Sequence, residues 1–149
     1  MVKNILLFQS DVFSYEPPLN DAGVQYDLPL GDDICAFLKA GLESKQVAWT
    51  IRDPVREDIV SVLLLYRRKD VLTITTSWHG ESALVIGQLR GCLGWLFGRK
   101  PDAQALLVIE EIKLLVDEVV LSDTERFKNP TWITEVEFPE VAQNFVIPD

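Results

Sequence analysis

The side chain best suited to move a proton near neutral pH is His79, the single histidine of the chain. No other side-chain type has an unperturbed pKa in that range. Gly80-Glu81-Ser82 follows it directly, so a base, an acid and a hydroxyl stand together in sequence. A nucleophile, its base and the orienting acid usually converge from distant segments, and residues 80–84 lack the second glycine of a strained nucleophile turn. An exposed histidine at a hairpin end is therefore expected. The alternative is a small-molecule-binding protein or enzyme with a pocket between helix and sheet near Trp78, His79 and Glu81.

The two thiols, Cys35 and Cys92, belong to no Cys-x-x-Cys or Cys/His spacing that would hold zinc, so neither a metal site nor a cofactor is expected. Cys35 falls in the first turn of a helix, where the dipole lowers a thiol pKa. Asp32 and Asp33 oppose that effect, and an apolar stripe adjoins the residue, which favours a buried, inert thiol. Cys92, among glycines and apolar residues, reads the same way. Gly87, Gly91, Gly94 and Gly98 match neither a phosphate-binding loop nor a dinucleotide fingerprint. Arg99 and Lys100 read as a solvated turn before a helix. No motif specifies a reaction, and the reading leans away from an enzyme.

Charge is more informative. The net charge is −9, and residues 1–100 hold 12 acidic and 11 basic side chains against 11 and 3 in residues 101–149. A carboxylate-rich carboxyl-terminal third repels phosphates, which argues against nucleic acid, and attracts cationic partners. Glu110, Glu111, Asp117, Glu118, Glu135 and Glu137 are the expected binding surface for a basic protein. The apolar run at 5–8 is too short for a signal peptide, and the tract 83–97 is too interrupted and too short for the roughly 20 residues of a membrane helix. A cytoplasmic protein with no membrane span is expected.

Elements must position these groups. The apolar share of 48% and charged share of 25% are those of a globular chain, and one domain over 1–149 is expected. Residues 2–8 read as a strand buried on both faces because Ile5-Leu6-Leu7-Phe8 does not alternate. A proline- and aspartate-rich acidic loop spans about 9–30. Ile34, Phe37, Leu38 and Leu42 recur at helical spacing, which predicts an amphipathic helix over 32–45. Residues 47–52 read as a strand stopped by Pro54. Residues 59–67 and 71–78 read as a hairpin across Arg68-Lys69-Asp70, with Leu72, Ile74 and Trp78 toward the core and Thr73, Thr75 and Ser77 toward water.

A further strand is expected at 83–88 and an irregular loop or broken helix at 89–100, where Trp95 and Phe97 are either partner anchors or core. Pro101 and Asp102 open the longest helix, whose stripe is Ala105, Val108, Ile109, Ile112, Val116 and Val119. Leu106, Leu107, Leu114 and Leu115 widen that stripe beyond one sheet face. The helix is then either deeply buried or covered by a second copy, making a homodimer. Residues 131–138 read as a closing strand with Trp132, Thr134, Val136 and Phe138 on one face, and Ile133, Glu135 and Glu137 on an acidic outer side. An irregular tail covers about 139–149. The sum is an α+β fold: one layer of mostly antiparallel sheet, about five or six strands, with two main helices on one face.

The Pro29-Leu30-Gly31-Asp32 lead-in to a helix carrying Phe37, Leu38 and Leu42 resembles a pattern seen in small uncharacterised bacterial α+β proteins, some of immunity-protein-like type. Pro54-Val55-Arg56-Glu57-Asp58 before a central hairpin and the 132–138 strand extend the resemblance over 28–138. It implies an α+β fold and no known catalytic residues to carry over; a binding protein that acts by occlusion, of immunity or inhibitor type, is expected from the acidic carboxyl-terminal third.

Overall fold

A computed structural model describes residues 2–13, 19–25, 31–57, 60–78, 82–88, 103–134 and 136–137. In chain order the elements are β1 (Lys3–Gln9), α1 (Asp32–Ser44), β2 (Thr50–Ile51), β3 (Val55–Glu57), β4 (Val60–Arg67), β5 (Asp70–Trp78), β6 (Ser82–Gln88), α2 (Ala103–Leu121) and β7 (Lys128–Thr134). The strands form one seven-stranded sheet in the order β2-β4-β5-β6-β1-β7, with β3 also paired to β4. Every described pairing is antiparallel. This is the expected α+β single-sheet fold, with one strand more than the upper expectation because one edge is divided in two.

That division corrects the reading of 47–52. Only Thr50 and Ile51 pair with β4, opposite Tyr66 and Leu65, and the edge resumes at Val55 after Arg52-Asp53-Pro54. Gln46 takes a left-handed backbone, φ 53, directly after α1, so the residues that follow carry the chain from helix to sheet edge. Pro54 lacks the N–H a continuous ladder requires. It interrupts the edge strand; it does not end it. At the hairpin the turn is tighter than expected: Arg67 pairs with Asp70, and Arg68 adopts a left-handed φ of 55.

Both helices cover one sheet face. The main core joins Ile34, Leu38 and Leu42 of α1, Val108, Ile112, Val116 and Val120 of α2, and Leu6, Phe8, Leu63, Leu65, Leu72, Ile74, Leu84 and Ile86 of the sheet. Four phenylalanines close one end of it. The Phe127 ring lies 4.8 Å from Phe8, 5.5 Å from Phe13 and 5.7 Å from Phe37, at edge-on or tilted angles favourable to aromatic quadrupoles. The helices approach closely, since a Cβ on Gly41 would stand 2.8 Å from Val119 Cγ1.

The opposite face is not uniformly wet, contrary to expectation. Ile5, Leu7, Ala83 and Ile133 are buried there beside Val85, while Thr73 and Thr75 are half-buried. Thr76, on the core face with Leu72 and Ile74, is 2% exposed and is satisfied by donating to the Ser61 carbonyl at 3.1 Å. The closing strand also differs. β7 begins at Lys128 and ends at Thr134; Ile133 packs against Ile5 and Leu7, so its side is apolar and buried, not acidic. Val136 and Glu137 lie beyond the strand and are exposed. Asn129 has a left-handed φ of 52, and the β1–β7 ladder shifts register near Pro130. Among the described residues β7 is the outermost strand on its side.

Within the acidic loop, residues 19–25 form a tight reversal in which Asn20 Oδ1 accepts from the Ala22 and Val24 amides, both at 2.9 Å. No described helix is long and apolar enough to cross a membrane. The 89–100 stretch and the 139–149 tail lie outside the described residues, as do Trp95 and Phe97.

Two glycines separate backbone strain from crowding. Gly23 and Gly31 have nearly the same φ, +78 and +77, but a Cβ on Gly23 meets nothing within 4 Å, whereas on Gly31 it would stand 2.7 Å from Thr76 Oγ1. Gly23→Ala should cost about 1–2 kcal/mol from the left-handed backbone alone. Gly31→Ala should cost a further ~1–3 kcal/mol of overpacking where α1 starts against the sheet. Urea unfolding of both variants checks this; equal losses would rule out the contact with Thr76 as a cause.

Candidate functional site

The six carboxylates expected to form a binding surface do not share one environment. The 3.6-residue period brings Glu110, Glu111, Asp117 and Glu118 to the part of α2 turned away from its buried stripe. Side-chain chemistry then separates them. Arg67 of β4 grips Glu111 with both ends of its guanidinium, NH1 to Oε1 at 2.5 Å and NH2 to Oε2 at 2.8 Å. Trp49 Nε1 donates to the same carboxylate at 3.3 Å, and the Arg67 guanidinium stacks 4.3 Å from the Trp49 ring. Paired planar groups of this kind are the strong class of charge-assisted hydrogen bond. Hydrogen bonding from Arg67 holds the Glu111 carboxyl below the usual carboxylate range against the opposing effect of desolvation, with Trp49 adding to it.

Asp117 is also committed, because Trp132 Nε1 of β7 donates to its Oδ1 at 2.8 Å. Lys113 bridges the neighbourhood, with its ammonium 5.0 Å from the Trp132 ring centroid and 3.2 Å from Glu110 Oε1. Glu111 and Asp117 thus fasten α2 to strands on both sides of it. Glu110 and Glu118 are looser: their side chains are 56% and 61% exposed, each with one lysine nearby, Lys113 and Lys45, the latter at 3.5 Å. Exposed ion pairs of this sort contribute about 0–1 kcal/mol and exchange readily. Glu137 is exposed beyond β7, and Glu135 lies outside the described residues.

Between these carboxylates runs a feature that composition and charge did not single out. Leu107, Leu114 and Leu121 are 66%, 65% and 62% exposed. Of the four leucines expected to widen the buried stripe, Leu106 and Leu115 are half-buried, and Leu107 and Leu114 face outward. The seven-residue spacing was present in the sequence as the signal of a single row. A cleft of about 350 Å³ opens at the Leu121 end, bounded also by Val120, Thr124, Phe127 and Pro130. A second, of about 630 Å³, lies near Thr50, Tyr66, Arg68 and Gln104.

The other candidate centre, His79 and Glu81, lies outside the described residues. Trp78 ends β5, and its side chain is likewise outside them. Cys35 is fully buried, with its sulfur 3.8 Å from the Ser61 carbonyl. Burial, reinforced by Asp32 and Asp33, pushes its pKa up to about 11, so at neutral pH it is a protonated thiol without nucleophilic character. Cys92 is outside the described residues. Among the described residues no three His, Cys, Asp or Glu side chains are placed to hold a metal ion.

The Glu111 clamp has a pH signature. A carboxyl whose folded-state pKa is depressed contributes stability above its unfolded pKa and loses it as pH falls through the folded value. Glu111→Gln should lower stability by about 0.5–1 kcal/mol at pH 7 for this partly exposed pair. The gap from the parent should narrow on acidification below about pH 4. Urea titrations across that range check it; a gap that stays constant to pH 2 would show that charge is not its source. No protein-family model matches the chain, and comparisons with curated proteins and with solved structures find no match to either.

Proposed function

We propose that this chain is a non-enzymatic binding protein that engages a basic protein partner through the outer face of α2 and acts by occlusion, in the manner of an immunity or inhibitor-type protein. The observation that carries the reading is the concentration of four carboxylates, Glu110, Glu111, Asp117 and Glu118, against one lysine, Lys113, along the exposed turns of a single helix. The field of the chain acts in the same direction, with a net charge of −9. Such a field speeds encounter with a cationic surface and discriminates against anionic ones. The internal partners of Glu111 and Asp117 divide the work: those two hold the face rigid, and Glu110 and Glu118 are free to exchange a surface lysine for a partner's cation.

A second reading, a homo-oligomeric subunit joined through α2, is favoured by the exposure of Leu107, Leu114 and Leu121. Charge opposes it, since a second copy brings the same carboxylates.

The test is charge reversal at the two loosely held positions. Glu110→Lys combined with Glu118→Lys should leave the thermal midpoint within a few degrees of the parent, because neither residue is buried. The same change should weaken capture of a partner identified by carbodiimide cross-linking in native extract by about tenfold or more, with the effect shrinking at high salt. A partner of acidic net charge, or undiminished capture by the double variant, would sink the proposal. Glu111→Lys is unsuitable for this purpose because it would break the grip of Arg67 and unsettle the helix itself.

A further inference from the structure

We infer that what docks on α2 is a basic amphipathic helix, its apolar row seated along Leu107, Leu114 and Leu121 and its lysines or arginines flanking that row on both sides. This rests on the proposed binding of a basic partner and specifies the element that makes the contact.

Geometry carries the choice of a helix. Residues seven apart on a straight α-helix drift by only about 20° per step, so the three leucines remain within an arc of about 40°. They stand about 10.5 Å apart, along a ridge of about 21 Å. A partner helix with apolar residues at the same period meets all three. A partner strand offers side chains on one face every ~6.8 Å, so one that meets Leu107 and Leu121 straddles Leu114 and misses it.

Charge carries the choice of basic flanks. At 100° per residue, Glu111 and Glu118 lie on one side of the leucine row and Glu110 and Asp117 on the other. Two copies of α2 laid antiparallel about Leu114 would match the leucines, Leu107 against Leu121. They would also oppose Glu110 to Asp117 along one flank and Glu111 to Glu118 along the other, acid to acid. A basic helix satisfies the same row and reverses each of those repulsions.

The experiment uses the full chain and three synthetic 21-residue peptides. One has leucine every seventh residue with lysine flanks, a second the same composition scrambled, and a third the same leucine row with glutamate flanks. Fluorescence anisotropy gives affinities, and amide chemical shifts locate binding. The lysine-flanked peptide should bind with shifts confined to 103–121 and the turn that follows. Leu107→Ser with Leu114→Ser, both at exposed positions, should weaken it by about tenfold or more without lowering the thermal midpoint. Glu110→Lys with Glu118→Lys should weaken it too and admit the glutamate-flanked peptide. If the scrambled peptide binds as well and the leucine variants change nothing, the helix inference falls while an acidic binding surface stands. If the leucine variants matter and the charge variants do not, the basic-partner reading falls and this inference with it. Sedimentation showing a dimer of the chain that the leucine variants dissolve would make a second copy the occupant and overturn the inference.

Discussion

The rotation of α2 about its own axis is the constraint on which the described structure depends. Valine, isoleucine and alanine at 105, 108, 109, 112, 116, 119 and 120 are buried, and turning the helix by one residue would swing it about 100°. That would put Leu107 and Leu114 against the sheet and expose buried valines. Two contacts resist such a turn from opposite sides: Glu111 held by Arg67 and Trp49, and Asp117 held by Trp132. A third sets depth, because Gly41 lets α1 approach Val119 without an intervening Cβ. Sheet, helix pair and outward face are fixed together by these few groups.

Carboxylates on one helix therefore do two kinds of work, decided by neighbours distant in sequence. Glu111 meets an arginine 44 residues away and Asp117 a tryptophan 15 residues on. Glu110 and Glu118, each the chain neighbour of one of these, pair among the described residues with a lysine, Lys113 and Lys45. Net charge alone treats the four as equal; the fold makes two of them fasteners and leaves two available to solvent. That division keeps a charged face rigid, and rigidity lowers the ordering cost of association.

Where the chain has a period, the sequence discloses the fold. The spacing of Ile34, Leu38 and Leu42 located α1, the stripe from Ala105 to Val119 located α2, and the unalternating Ile5-Leu6-Leu7-Phe8 marked a strand dry on both faces. Illegible features were those set by partners far along the chain. Phe13 and Phe127 lie in stretches without periodicity, and only the fold brings them onto Phe8 and Phe37. The shift of β7 to Lys128–Thr134 follows from pairing with β1 across a register change, which no local pattern near Thr131 encodes. Ile133 looked like the partner of Glu135 on a wet face because alternation says which residues share a side, not which side is dry. The leucine row was visible as a seven-residue repeat, but a wide apolar stripe does not announce which of its margins faces water.

The interrupted borders of the sheet have a consequence for self-assembly. A flat, continuous outer strand offers a row of unused amide and carbonyl groups on which another molecule's strand can grow. Here one flank is cut at Pro54 and the other carries Pro130 beside a left-handed Asn129. Among the described residues neither flank presents an unbroken hydrogen-bonding rail, which removes the flat template on which a further strand would grow.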